Sequence, residues 1–278
     1  MRHMGTCTQL SRIGRIAAAL LLTLAAGGRA QEPDNAAELA KKLSNPVAEM
    51  VSIPFQFNWD NGVGPDDGLR YTLNVQPVVP FSIGEDWNLI GRWILPYVSQ
   101  PSLGTGLDPT SGYSDIVFSS FFSPRKSNIT WGVGPVFLLP TTSDPLLGAG
   151  QWGIGPTAVA LRQQGPWTYG MLANHIWSFA DASNLERTDV NSTFLQPFLA
   201  YGKSGTTLTI ASESTANWEA DSGEQWTIPI LVTLSKVTRL GPFPFSVAAG
   251  GGPYVESPTG GPEWKLRTAF TLILPAKK

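Results

Sequence analysis

Three features of the sequence predict an all-β chain, a transmembrane antiparallel up-and-down β-barrel of about twelve strands preceded by a short helix. Apolar and polar residues alternate over segments close to the ~10 residues that a tilted membrane strand needs. The connections between segments alternate between longer and shorter. Tryptophans gather at segment ends. The clearest segment is Val51–Asp60. Val51, Ile53, Phe55, Phe57 and Trp59 are apolar, and Ser52, Pro54, Gln56, Asn58 and Asp60 lie between them. Side chains alternate across a strand, so one face is greasy and the other largely wet.

What precedes that strand is of a different kind. Arg2, His3, Arg12 and Arg15 make a positive start, and Ile16–Ala26 is an apolar run with the length of a signal-peptide core, too short to span a bilayer. Gly28-Arg29-Ala30 offers small residues to a signal peptidase. Residues 1–30 are therefore expected to be a cleaved signal peptide, and Cys7 leaves with it, so the mature chain has no thiol for a disulfide or a metal. Residues 31–47 are expected to form a periplasmic segment with a short helix. Ala36, Leu39, Ala40 and Leu43 recur at helical spacing, Asn35 and Glu38 resemble a capping box, and Asn45-Pro46 stops the run. The expectation is a lead-in helix lying against the barrel mouth, with a lumen plug as the alternative.

Residues 48–278 are expected to be the outer-membrane barrel. After Val51–Asp60 the strand candidates are Arg70–Phe81, Trp87–Gln100, Tyr113–Ser123, Thr130–Thr141, Trp152–Gln163, Trp167–Phe179, Val190–Tyr201, Thr206–Trp218, Gln225–Val237, Phe243–Val255 and Lys265–Leu274. Prolines at 54, 77, 135, 156, 197 and 229 are read as bulges or weakly paired positions. Long connections such as 142–151 and short ones such as 164–166 alternate, as outer loops and periplasmic turns do in membrane barrels. An even strand count leaves both ends of the barrel on the periplasmic side. Trp59, Trp87, Trp131, Trp152, Trp167, Trp177, Trp226 and Trp264 are the expected aromatic girdle, since indole prefers the half-wet headgroup boundary. Charged residues are 14% of the chain, against roughly 25% in soluble domains. A net charge of −2 gives no case for nucleic acid.

The polar parity is the candidate functional surface. Gln56, Asn58, Asp60, Asn74, Gln76, Arg92, Asp115, Gln196, Glu213, Lys265 and Arg267 are expected to line the lumen, because a charge facing lipid costs roughly 2–4 kcal/mol near the midplane. Val78, Ile94, Val117, Phe121, Leu138, Phe194 and Phe198 share that parity, and such a mixed lining suits moderately apolar solutes. The runs 75–79 and 195–199 both place Gln inward and Pro outward. Antiparallel pairing of the first and last strands would bring Asp60 within ion-pair reach of Lys265 or Arg267. No catalytic, metal or cofactor constellation emerges. His175 is the single histidine after residue 30, and it shares parity with Trp177 and Phe179 rather than with Ser178. Gly132-Val133-Gly134 and Gly153-Ile154-Gly155 have no helix after them to complete a phosphate cradle.

The runs Ala37–Val47, Pro54-Phe55-Gln56, Tyr71–Asn74 with Gln76-Pro77, and Gly165-Pro166-Trp167 with Asn174-His175-Ile176-Trp177 resemble a family of bacterial outer-membrane barrels. Its members are usually labelled transporters or, misleadingly, neuromedin U, and they look related to the barrel group named for the meta-pathway of phenol degradation. The resemblance spans the chain after the signal peptide. It implies an outer-membrane barrel that passes solutes, and it brings no catalytic residues. Together these readings point to a monomeric channel in a Gram-negative outer membrane for small, aromatic or moderately apolar solutes. Its partners would be outer-membrane lipids, lipopolysaccharide and the barrel-assembly machinery, without cofactor or nucleic acid. A lipid-modifying barrel enzyme and a closed structural barrel are the alternatives.

Overall fold

A computed structural model describes residues 33–104, 106–182, 187–241 and 243–274. The expected signal peptide lies outside the described residues. Helix α1 (Pro33–Leu43) precedes fifteen strand segments: β1 (Val51–Val63), β2 (Gly68–Val75), β3 (Val78–Ile83), β4 (Trp87–Gln100), β5 (Thr110–Tyr113), β6 (Ile116–Pro124), β7 (Thr130–Leu139), β8 (Gln151–Gln164), β9 (Trp167–Asp181), β10 (Asn191–Lys203), β11 (Thr206–Ser212), β12 (Ser214–Asn217), β13 (Trp226–Leu240), β14 (Phe243–Glu256) and β15 (Trp264–Leu274). Three pairs, β2/β3, β5/β6 and β11/β12, are single strands interrupted at Gln76-Pro77, Ser114-Asp115 and Glu213, so the segments make twelve strands. Each strand pairs antiparallel with its neighbours in sequence, and β1 pairs with β15 across eleven residue pairs from Val51↔Leu274 to Asn61↔Trp264. The sheet has no free edge.

The alternation read from the sequence governs which way side chains point. Along β8, Gln151, Gly153, Thr157, Val159 and Leu161 are buried inside, while Trp152, Ile154, Pro156, Ala158 and Ala160 are exposed outside. Ile230, Val232 and Leu234 on β13, and Met171, Trp177 and Phe179 on β9, add to the exposed apolar exterior. Aromatic pairs mark both rims. Trp59–Tyr71 and Trp218–Trp226 lie at the long-loop end, and Trp87–Trp131 and Trp167–Tyr201 at the short-turn end. The β10–β11 turn shows what the short end requires. Ser204 and Gly205 both have positive φ, 50° and 78°, the left-handed pair that closes a two-residue hairpin with the twist of its strands.

Two of the six prolines behave as expected of breaks. Pro77 sits in the gap between β2 and β3, and Pro229 marks a register shift against β14. Pro135 and Pro156 instead face each other in a continuous β7–β8 ladder, each leaving a gap on its other side, where the missing N–H matters. Pro54 and Pro197 also sit within continuous ladders.

The N-terminal segment corrects the sequence reading twice. The helix starts at Pro33, so Asn35 lies inside its first turn rather than at the cap; proline suits that first position because its missing N–H would have no partner there. Nor does the segment merely rest against the mouth. Val47 is buried in a cluster with Ile90, Phe121, Val159, Leu161 and Leu172, all inward-facing. Ala40, Ala48 and Met50 are buried against Val237 and Ile273. Residues 36–50 thus close the short-turn end of the lumen from within.

Candidate functional site

Inside the barrel, polar side chains gather on the wall built by β1, β2, β4, β14 and β15, and apolar ones gather opposite. The polar column begins low in the lumen. Arg92 on β4 donates from Nη2 to Gln76 Oε1 at 3.1 Å, and Gln76 Nε2 donates to Gln56 Oε1 at 2.9 Å. Gln76 reaches inward because the strand breaks after it; its backbone N–H donates to Pro54 O at 2.9 Å while Pro77 begins the gap.

The next layer is centred on Arg267 of β15, which is 7% exposed. Its Nε donates to Asn58 Oδ1 at 2.6 Å, and its Nη1 and Nη2 donate to the two oxygens of Glu213, each at 2.6 Å. Asn58, directly opposite Arg267 in register, turns its own Nδ2 to Thr72 O at 3.2 Å. Two strands, β14 and β13, lie between β15 and the strand of Glu213, so the guanidinium must reach past both. Gly250 of β14 lies beside Arg267 in register, and a Cβ there would come within 2.1 Å of Val232 O. Glu213 itself stands out of the ladder because β11 ends at Ser212 and β12 starts at Ser214, opposite the buried Pro229. Proline has no N–H to continue the pairing.

The outermost layer is the barrel seam. Asp60 and Lys265 are register partners, with Lys265 Nζ 3.5 Å from Asp60 Oδ1, as the pairing of first and last strands required. The Tyr254 hydroxyl donates to Asp60 at 2.8 Å, and the Lys265 ammonium sits 5.6 Å from the Tyr254 ring centre.

Between this column and the N-terminal segment lies a chamber of about 300 Å³. Gln56, Gln76, Arg92, Gln196, Glu213 and Arg267 face it from the wall, together with Val78, Phe198, Leu231 and Val237; Ser44, Asn45, Ala48 and Met50 close it from below. The two Gln-Pro runs of the sequence therefore deliver two glutamines to one chamber. Asp115 is placed differently. Its carboxylate accepts the backbone N–H groups of Thr142 at 3.0 Å and Gly150 at 2.8 Å, so it ties a long loop to the wall. Asn74 shares the inward register of Gln56 but does not border the chamber. Sequence reading passed over Tyr254, the close approach of β13 to Gly250, and the closing role of Val47. The run Gly250-Gly251-Gly252 inside an apparent strand was the available signal for the second of these.

His175 faces outward, its ring 4.1 Å from that of Trp177, and Nδ1 lies 2.8 Å from Thr193 Oγ1 on β10. The same hydroxyl oxygen accepts the Trp218 indole N–H at 2.8 Å. Gly132, Gly134, Gly153 and Gly155 all lie within strands β7 and β8; a Cβ on Gly155 would come within 1.7 Å of His175 O, so they serve close strand approach.

An outer membrane channel from Pseudomonas putida F1 has a similar structure, with a TM-score of 0.62 and 18% identity over 81% of this chain and 96% of that one. The fold is that of an outer-membrane barrel. The β domain of the Bordetella autotransporter BrkA aligns over 81% of this chain and all of its own, at 10% identity and a TM-score of 0.45. No family model matches the chain, and no curated protein matches it in sequence.

Proposed function

We propose that the protein is a passive outer-membrane channel for small, aromatic or moderately apolar solutes, with residues 36–50 as its inner closure. The observation that carries this reading is the chamber itself: a closed barrel with an apolar exterior encloses a cavity walled half by polar and half by aliphatic and aromatic groups. Such a wall gives an apolar body a favourable surface and leaves donors and acceptors for one polar end. The outer-membrane channel of similar fold supports the same reading, as does the resemblance to transporter-labelled barrels. The low charge content, the aromatic rims and the export signal read from the sequence support placement in the outer membrane of a Gram-negative cell, facing lipopolysaccharide and phospholipid. The barrel closes on itself within one chain, which favours a monomer.

The N-terminal segment provides the test. In planar bilayers the full chain should show small or infrequent conductance steps, and deletion of residues 33–47 should raise conductance severalfold at unchanged barrel folding. Identical traces from both would sink the channel reading and leave the closed structural barrel. The enzyme alternative rests on His175 acting with a serine, but the hydroxyl beside its ring is that of Thr193. Here the threonine hydroxyl is shared with Trp218, a girdle arrangement, so His175→Ala should leave phospholipid turnover at the level of empty membranes.

A further inference from the structure

We propose that the chamber binds an amphiphilic monocarboxylate, with the carboxylate on Arg92 and the apolar body against Val78, Phe198, Leu231 and Val237. The charges on the chamber wall do not balance. Arg267 and Glu213 cancel each other in a two-pronged ion pair. Arg92 also faces the chamber, and among the described residues it makes no ion pair within 4.0 Å. Among the described residues its hydrogen-bond partner is one amide oxygen, Gln76 Oε1 at 3.1 Å. A guanidinium has five N–H donors in a planar fork, so most of the donor capacity of this chamber-lining group is unused among the described residues. Gln76 is held in turn by Gln56 at 2.9 Å, which fixes the direction in which the fork points.

The shape of the site selects among anions. A planar fork matches the two oxygens of a carboxylate, and the pair gains strength away from bulk water. Inorganic phosphate carries more charge than one guanidinium neutralises and nothing to place against the aliphatic wall. A neutral alcohol of the same body would keep the apolar contacts and lose the charge-assisted bonds. The chamber of about 300 Å³ accommodates a body such as a phenylpropyl group. Lys42, which borders the chamber from the N-terminal segment, adds a second positive charge at its lower end, where a departing anion would pass. This proposal rests on the channel reading for its purpose but not for its measurement.

The test uses the full chain in lipid nanodiscs, with empty nanodiscs as the blank, and isothermal titration of 3-phenylpropanoate, 3-phenylpropanol and inorganic phosphate at pH 7. The acid should bind at least about tenfold more tightly than the alcohol, and phosphate should not compete with it. Arg92→Met should abolish the preference for the acid, and Arg92→Lys should keep part of it; heat-modifiable gel mobility reports that each variant folds. If Arg92→Met does not fold, the wild-type comparison and Arg92→Lys decide. Equal binding of acid and alcohol, binding of neither, or an acid preference that survives Arg92→Met overturns the proposal. Acid-selective binding by a chain that never conducts would keep the site and remove the channel; conductance without acid selectivity would do the reverse.

Discussion

Arg267 is the residue on which the lumen's polar side depends. Its guanidinium holds Asn58, Glu213 and, through the strand pairing at the seam, the neighbourhood of Asp60. Removing one member of a buried ion pair leaves the other charge desolvated and alone, which costs about 3–5 kcal/mol, whereas removing both is often close to neutral. Arg267→Met should therefore lower the urea midpoint of barrel unfolding markedly, and Arg267→Met with Glu213→Gln should recover most of the loss. If the double variant is no better than the single one, the pair is not the source of the cost. A second carboxylate lies in the long loops. The Thr259 N–H at 2.5 Å and its hydroxyl at 2.8 Å hold the Glu224 carboxyl below its ordinary range. Its folded pKa lies below its unfolded one. The tie between the two loops is thus in place above the ordinary carboxylate pKa and is lost as pH falls through the lowered value. A side-chain titration of Glu224 by NMR should move back toward ordinary carboxylate behaviour in Thr259→Val, which removes the hydroxyl but keeps the N–H.

For the N-terminal element, two kinds of contact compete to hold it in the lumen. Glu49 receives the Arg125 guanidinium at 3.0 Å and the Asn88 amide, and Gln163 donates to Lys41 O at 2.8 Å. The Glu49 and Arg125 side chains are 49% and 35% exposed, so their pair contributes only about 0–1 kcal/mol. Val47 is buried at 4% exposure, and seating such a side chain contributes about 1.5–3 kcal/mol. The apolar contact wins. Glu49→Ala should raise opening frequency in planar bilayers by less than about fivefold, and Val47→Asp by more than tenfold, because it puts a charge among Ile90, Phe121 and Leu172. The reverse ranking would place the latch at Glu49.

At the scale of the whole molecule, closure and sidedness are linked. Asp67 lies in a β1–β2 connection, on the long-loop side, and Gly84 and Ser204 lie in short turns at the other end. Cysteines at Asp67 should label in intact cells with an impermeant maleimide, and those at Gly84 and Ser204 should not; equal labelling would reverse or abolish the assignment. Parity has its own check. Phe55 faces outward beside Phe270, and Asn74 faces inward opposite Gln56. Phe55→Lys should impair assembly, at a cost of roughly 2–4 kcal/mol, while Asn74→Lys should assemble.

The sequence by itself determined the number of strands, their approximate ends, the inward and outward parity and the meeting of Asp60 with Lys265 or Arg267 at the seam; the structure decided for Lys265. All of these follow from a period-two pattern and from antiparallel closure, which are local rules applied repeatedly. Trp87–Gln100 coincides with β4 because turn residues bound it on both sides, Gly84-Glu85-Asp86 before and Pro101-Ser102 after. The sequence marked Pro77 as a break, but tertiary structure alone decided the interruptions at Ser114-Asp115 and Glu213, since neither break holds a proline of its own and the partner strand settles where the ladder stops. It also decided that Asp115 serves a loop while Arg92 keeps a free face toward the chamber. Both share the inward parity, and only the approach of Thr142 and Gly150 to one, and of Gln76 to the other, separates them. The place of Val47 was beyond a linear reading for the same reason. A short amphipathic segment has an apolar face wherever it goes, and what that face meets depends on lumen side chains drawn from β4, β6, β8 and β9, far apart in the chain.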